Sequence, residues 1–331
     1  MRKPEPQLVG LLLFAALYYL LLHDLLGGSL LAHSTHDSYT LQALCWQDGR
    51  LDIPSGEVYT WLELAIYNDK YYLSFPPLPS LFLLPWVAIF DAETPSNLIV
   101  ALYAVASLGV LYACLRVIGL EENRAAIWAV PLLLGSSLAW VSSSGAVWFQ
   151  AQTLNTLLLL IAILCLLKGR QRPAFFWLAL AVGCRPVSIV YFPAFIALFW
   201  AKDPPSRAGS WRFCRGLFFS LIPAALVGLF YMALNLARFS NPLEFGHSYL
   251  PEFTRNPRFS PAYLAHNLSI LLFRPLLLGG GLRVNLNPFE GFAFYLANPV
   301  FCCSSFAWRV SCAQSTWALR KSPFAPAFCS A

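Results

Sequence analysis

The sequence predicts an all-α, polytopic helical membrane protein, and three observations carry that prediction. Hydrophobic residues make up 58% of the 331-residue chain and charged residues only 11%, against roughly a quarter charged in a soluble domain. Mean hydropathy is +0.60, and the apolar residues gather in runs of about 20, enough for a helix to cross a bilayer core. Lys and Arg stand in short clusters beside those runs rather than on one soluble face, which fits membrane topology and not nucleic acid.

The first run is Leu8 to Leu26. Arg2 and Lys3 precede it, which places the N-terminus in the cytoplasm, and the absence of a small-residue cleavage site makes it a retained signal anchor. Residues 27–96 then form a long external loop. It carries Asp37, Asp48, Asp52, Glu57, Glu63 and Asp69 against Arg50 and Lys70.

Within this loop, Leu78 to Phe90 is apolar but only 13 residues long. As a helix it reaches about 20 Å where a bilayer core needs about 30 Å. Pro85 interrupts it, and the loop charges that follow would all invert if it crossed. It is therefore expected in the outer interface.

Spans are next expected at Asn97–Leu115, Ala125–Val141 and Gln150–Leu167, the last returning to the basic run KGRQR. Pro173 to Trp200 holds Cys184-Arg185-Pro186 at its centre. Basic residues on both sides of it, KGRQR and KDPPSRAGSWRFCR, require the chain to enter and return, hence two half-helices meeting at Arg185. Gly216 to Leu236 exits to a second external loop, about residues 237–285. That loop contains a further interfacial helix, and a last span follows at Asn285–Val300.

The tail, residues 301–331, has four of the nine cysteines, no acidic residue and no helical period. Its abrupt change of usage points to a truncated or frameshifted end, not native to a domain of residues 1–300. None of the cysteines forms a CxxC pair, and Cys114, Cys165 and Cys184 read as small apolar fillers.

Three features together resemble the GT-C class of membrane glycosyltransferases, which includes the protein O-mannosyltransferases and the lipid A aminoarabinose transferases. They are an external acidic loop opening with THDSYTLQALCWQDGRLDI, the strip YNDKYYLSFPPLPSLFLLPWVAIF, and the series SSSGAVWFQAQTLN, LAVGCRPVSIVYFPAF and NPLEFGHSYLPEF. The chain is most similar to an uncharacterised bacterial branch, over about residues 8–300. The resemblance implies a GT-C-like fold in the bacterial inner (plasma) membrane with its active site on the external face. There a sugar would pass, with inversion, from a polyprenyl-phosphate carrier to a lipid, glycan or protein acceptor.

The resemblance assigns a role to Asp37 and favours one for Arg185; the reaction it implies suggests the others. Asp37 matches the class's first-loop acidic residue, the catalytic base that takes the acceptor's proton. As a rival, Asp37 directly precedes SYTLQALCW, where Asp is a preferred helix N-cap. Lys70, Arg185 and Arg274 are expected to hold the donor phosphate, whose charge grows in the transition state. Arg185 stands out because an arginine within an apolar stretch costs about 2.5–3.5 kcal/mol on insertion scales, whereas Lys70 also reads as a snorkelling interfacial lysine. Tyr71, Tyr72, Trp148, Glu244 and His247 are expected to line the substrate.

There is no Gly-rich phosphate loop and no Asp-x-Asp motif for a nucleotide-sugar. A divalent metal at Asp37 has precedent in the class. Alternative readings are a transporter or lipid flippase, which would show related halves and several charges at membrane depth, and an inactive membrane remnant of the transferase family.

Overall fold

The computed structural model describes residues 5–202, 210–251, 260–275, 277–278, 284–285 and 292–299. It is mostly helical. The helices are α1 (Pro6–Leu25), α2 (Ser38–Gln47), α3 (Leu78–Phe90), α4 (Ser96–Val117), α5 (Glu122–Leu134), α6 (Leu138–Val141), α7 (Val147–Leu167), α8 (Gln171–Val182), α9 (Tyr191–Lys202), α10 (Ser210–Phe239), α11 (Ala262–Phe273) and α12 (Phe294–Ala297). Two small hairpins accompany them, β1 (Leu64–Tyr67) with β2 (Lys70–Leu73) and β3 (Leu277–Leu278) with β4 (Val284–Asn285).

Two compact units result. One comprises residues 1–133 with 138–258; the other comprises residues 134–137 with 259–331. In the second, the described residues include α11 and α12, joined by the Ala293 amide donating to the Arg274 carbonyl at 2.9 Å. Residues 301–331, read above as an atypical tail, lie outside the described residues, as do 286–291 and 300 of the span expected at Asn285–Val300; within that span the described helix is the four-residue α12.

Among the described residues, four helices are long and apolar enough to cross a membrane: α1, α4, α7 and, within α10, Phe213–Phe239. These match four expected spans. In α1 only one stripe is buried, Leu11, Ala15, Tyr19 and His23, while Leu13, Leu17, Leu20 and Leu21 are each more than half exposed. Such an all-round apolar helix fits lipid on its outer side.

Small residues let the helices approach closely. Ala15 of α1, Ala101 and Ala104 of α4, and Ala125 and Ala129 of α5 are all buried in one cluster. A second cluster joins Ala162 of α7, Ala174 and Ala179 of α8, Phe195 of α9 and Ala224 of α10.

The span expected at Ala125–Val141 is instead broken. α5 stops at Leu134, and α6 begins after Gly135-Ser136-Ser137. Gly135 carries the entropic penalty of a residue without Cβ, and the serines offer the backbone competing hydrogen bonds. The segment 171–202 is broken as expected: α8 ends at Val182, Pro186–Val190 form a 3₁₀ turn, and α9 follows. α3 has the expected bounds, its helix running through Pro85.

Where α1 starts, Glu5 accepts hydrogen bonds from the Tyr112 hydroxyl and, at 3.2 Å, from Arg116, which also reaches Glu122 at 3.6 Å. This ties α1, α4 and α5 together. The Tyr112 hydroxyl, and then Arg116, hold the Glu5 carboxyl below its ordinary 4.5. A depressed folded pKa contributes stability above the unfolded value that is lost as pH falls through the folded one. Glu5→Gln is therefore expected to melt lower than wild type near neutral pH and to match it in strong acid, as read by thermal unfolding in detergent.

Candidate functional site

The expected site residues do not all meet. The convergence centres on the start of α2, the start of α7 and the break after α8.

Asp37 is the N-cap of α2. Its Oδ1 accepts the Tyr39 and Thr40 amides, each at 3.1 Å, and its Oδ2 accepts the Thr40 hydroxyl at 2.6 Å. His33 Nδ1 lies 4.0 Å from Oδ2, and the Asp37 side chain is fully buried. Burial holds its carboxyl above the ordinary carboxylate range; the Thr40 hydroxyl and amide, His33 and the neighbouring Gln150 amide offset part of the shift.

Trp148 follows directly. The amide of Val147 donates to the His36 carbonyl at 3.0 Å, which pins the first turn of α7 to the residue before Asp37. Trp148 Nε1 donates to Glu63 at 3.3 Å, and its ring centroid lies 6.5 Å from that of His36. Its carbonyl accepts a guanidinium N–H of Arg185 at 2.9 Å. Arg185 therefore reaches from the break onto the start of α7. Its Nε is shielded and has no partner.

Tyr39 is within electrostatic reach of both charges. Its hydroxyl is buried without a hydrogen-bond partner. Burial pushes its phenol up; Arg185 opposes that shift and Asp37 adds to it, so both lie within electrostatic reach of one oxygen. The ring packs 6.4 Å from Phe75, which in turn meets the His247 ring at 5.6 Å.

The short helix α3 also docks here. The Leu78 amide donates to the Gly183 carbonyl at 3.0 Å, and the Ser80 hydroxyl donates to Tyr39 O at 3.1 Å and to Gln42 Oε1 at 2.8 Å. The FPPLP entrance thus abuts the Arg185 break. Gly183 is held by close approach: an added Cβ would lie 2.0 Å from the Tyr231 hydroxyl and 2.2 Å from its ring. Gly183→Ala is expected to destabilise the protein by about 1–3 kcal/mol through overpacking, measured as a lowered midpoint of thermal unfolding.

Beside the break, a groove of about 470 Å³ runs between α8, α9 and α10, lined by Ala179, Val182, Ile189, Phe192, Ala224 and Tyr231 among others. Its lining is almost wholly apolar.

Other expected residues stand elsewhere. Lys70 pairs with Tyr67 at the turn of the first hairpin, and Asp52 is the acidic group within its electrostatic reach. Tyr71 packs on Gly56 with Ile53 and Leu64 nearby, whereas Tyr72 packs on the other side against Phe239. Both are packing residues. Glu244 accepts the Gly246 and Ser248 amides and the Ser248 hydroxyl, stabilising its own loop, and His247 Nδ1 lies 2.9 Å from Ser74 O. Arg274 belongs to the second unit.

The donor set does not fit a divalent ion at Asp37: both carboxylate oxygens accept hydrogen bonds, and among the described His, Cys, Asp and Glu side chains only His33 is paired with it. Among the described residues no three His, Cys, Asp or Glu side chains gather to hold a metal.

The structure adds residues the sequence reading passed over. Tyr39 and Gln150 carry no signal of their own. Arg238 does: it is a cation in the last turn of an apolar helix, 1% exposed, bonded to Asn235 Oδ1 at 2.9 Å and to Leu73 O at 3.5 Å, with its guanidinium 4.9 Å from the Phe239 ring centroid. The cost argument that singled out Arg185 applies to it equally. No family model, no curated protein and no solved structure matches this chain.

Proposed function

We propose that the chain is a GT-C-like glycosyltransferase of a bacterial inner membrane, moving a sugar with inversion from a polyprenyl-phosphate carrier to an external acceptor. What supports this reading most is the meeting of Asp37 and Arg185 around Tyr39 and Trp148, from positions 148 residues apart in the chain. A carboxylate for proton removal and a guanidinium for the departing phosphate are the two charges the reaction needs. The apolar groove beside Arg185 suits the carrier's lipid tail, which keeps to the bilayer while its phosphate sits at the break.

Asp37 acts as the base in this scheme while it caps α2. Its Oδ2 exchanges the Thr40 hydroxyl for the acceptor hydroxyl, and Oδ1 keeps both backbone amides. Arg185 turns its fork toward phosphate, retaining one N–H on the Trp148 carbonyl. Lys70, at the hairpin tip, has no part.

The test is a transfer assay in membranes carrying the full chain, with radiolabelled undecaprenyl-phosphate sugars and extracted acceptors. Covalent label on an acceptor is the expected result. Uptake of a labelled solute into proteoliposomes without covalent transfer would replace this reading with the transporter.

A further inference from the structure

We infer that the opposite end of α8 and α10 carries a second site, which takes the phosphate of an anionic phospholipid. A cavity of about 710 Å³ lies between the start of α8, the end of α9 and the start of α10. Arg170, Arg172 and Arg215 line it together with Pro173, Phe199 and Phe219. α8 is 12 residues long, so about 18 Å of helix separates this cavity from the Arg185 break. It is not the site described above.

The plain explanation of these arginines is topology, since basic residues collect on the cytoplasmic side whatever they bind. Topology alone asks only that they face water. Here three guanidinium-bearing side chains share a concavity with two aromatic rings. Phe199, 7% exposed, and Phe219, 41% exposed, both line it, and the Arg215 guanidinium lies 5.8 Å from the Phe219 ring centroid. No carboxylate pairs with any of the three among the described residues.

The start of α8 adds to the positive potential. Its N-cap, Arg170, supplies no side-chain acceptor, and first-turn amides lack carbonyl partners within the helix. Three cations around an apolar wall select an anion joined to hydrocarbon. Basic pockets between membrane helices on the cytoplasmic side bind anionic head groups in this way. The lipid's phosphate would take the arginine forks bidentately, and its acyl chains would run along Phe219 and Phe199. This inference rests on the membrane topology proposed above and not on the transfer chemistry.

The test uses the full chain in neutral detergent, titrated separately with short-chain phosphatidylglycerol, short-chain phosphatidylcholine and inorganic phosphate. Retained adducts are read by native mass spectrometry. Phosphatidylglycerol is expected to bind at least tenfold tighter than phosphatidylcholine, with the preference shrinking as salt rises. Arg172→Gln combined with Arg215→Gln should abolish the preference, and Arg124→Gln, a basic residue away from the cavity, should leave it intact. Equal binding of the two lipids, or equal loss in Arg124→Gln, would overturn the site. Displacement of the lipid by inorganic phosphate at the same concentration would overturn the lipid as its occupant. Since wild-type preference and salt dependence need no variant, the outcome does not hang on how the double variant folds, and transfer activity does not enter it.

Discussion

Asp37→Asn is expected to lower sugar transfer by about 10²–10⁴-fold, the usual contribution of a positioned general base, with the thermal transition nearly unchanged. The geometry makes this substitution unusually clean. Asn caps helices about as well as Asp, and its Oδ1 can keep the Tyr39 and Thr40 amides that Asp37 now holds at 3.1 Å. The negative charge and the capacity to take a proton disappear, and the Thr40 hydroxyl, which now donates to Oδ2 at 2.6 Å, must turn to accept from the Asn amide instead. Asp37→Ala, by contrast, removes the cap as well and should cost about 0.5–2 kcal/mol of stability besides. The pair separates the two roles: a cap alone predicts that Asn transfers normally and Ala is merely less stable, whereas a base predicts that both lose transfer. Full activity in the Asn variant would end the assignment.

The same residue fixes a pH dependence. Burial raises the folded Asp37 pKa above its ordinary 3.8. A base works deprotonated, so transfer should be slow below the raised pKa and should climb as pH passes through it. The acid limb is then expected above the ordinary carboxylate range and absent from the Asn variant's residual rate. Stability runs the other way. With the folded pKa above the unfolded one, protonation favours the folded state; that contribution is complete below 3.8 and is lost as pH rises through the folded value.

The fold was legible where length and charge act together. α1, α4, α7 and most of α10 are apolar runs bounded by cations, and nothing else in a sequence looks like that. The break at Arg185 was legible because basic segments flank the apolar run on both sides, a pattern that favours two half-helices over one tilted span. α3 was legible from its 13 residues alone.

The first hairpin was passed over although its signal was present. Asn68 and Asp69 sit at φ 50° and 56°, the positive-φ pair that a two-residue hairpin turn demands. The flanking LAIY and KYYL do not alternate apolar and polar residues, because the strands bury side chains on both faces, Tyr71 on one and Tyr72 on the other. Packing occupies the rings of Tyr71, half-buried beside Gly56, and Tyr72, buried against Phe239, while Lys70 stands exposed at the turn. The break between α5 and α6 was hidden by strongly apolar flanks on either side of Gly135-Ser136-Ser137. Within the site, Arg185 betrays itself inside an apolar stretch and Asp37 by its place before SYTLQALCW, whereas Tyr39 and Gln150 acquire meaning only when α2 and α7 are brought together.

Arg185→Gln is expected to lower transfer by about 10²–10³-fold, comparable to deleting one preorganised donor at a developing charge. The guanidinium already gives one N–H to the Trp148 carbonyl, so part of any loss could come from a displaced α7. Arg185→Lys distinguishes the contributions. A lysine keeps the charge but loses the planar fork; if Arg185 serves phosphate, Lys should recover a good part of the rate lost in Gln, mainly in kcat, because the leaving group's charge grows as the bond breaks. If its role is only to brace Trp148, Lys and Gln should fall together, and the thermal transition should fall with them. Lys70→Gln is the matched control: it deletes a cation of the same segment between α1 and α4, at the tip of the first hairpin, and transfer should stay within about twofold of wild type. A wild-type rate in Arg185→Gln would detach the break from the chemistry and leave Asp37 without the second charge that an inverting transfer from a phosphate requires.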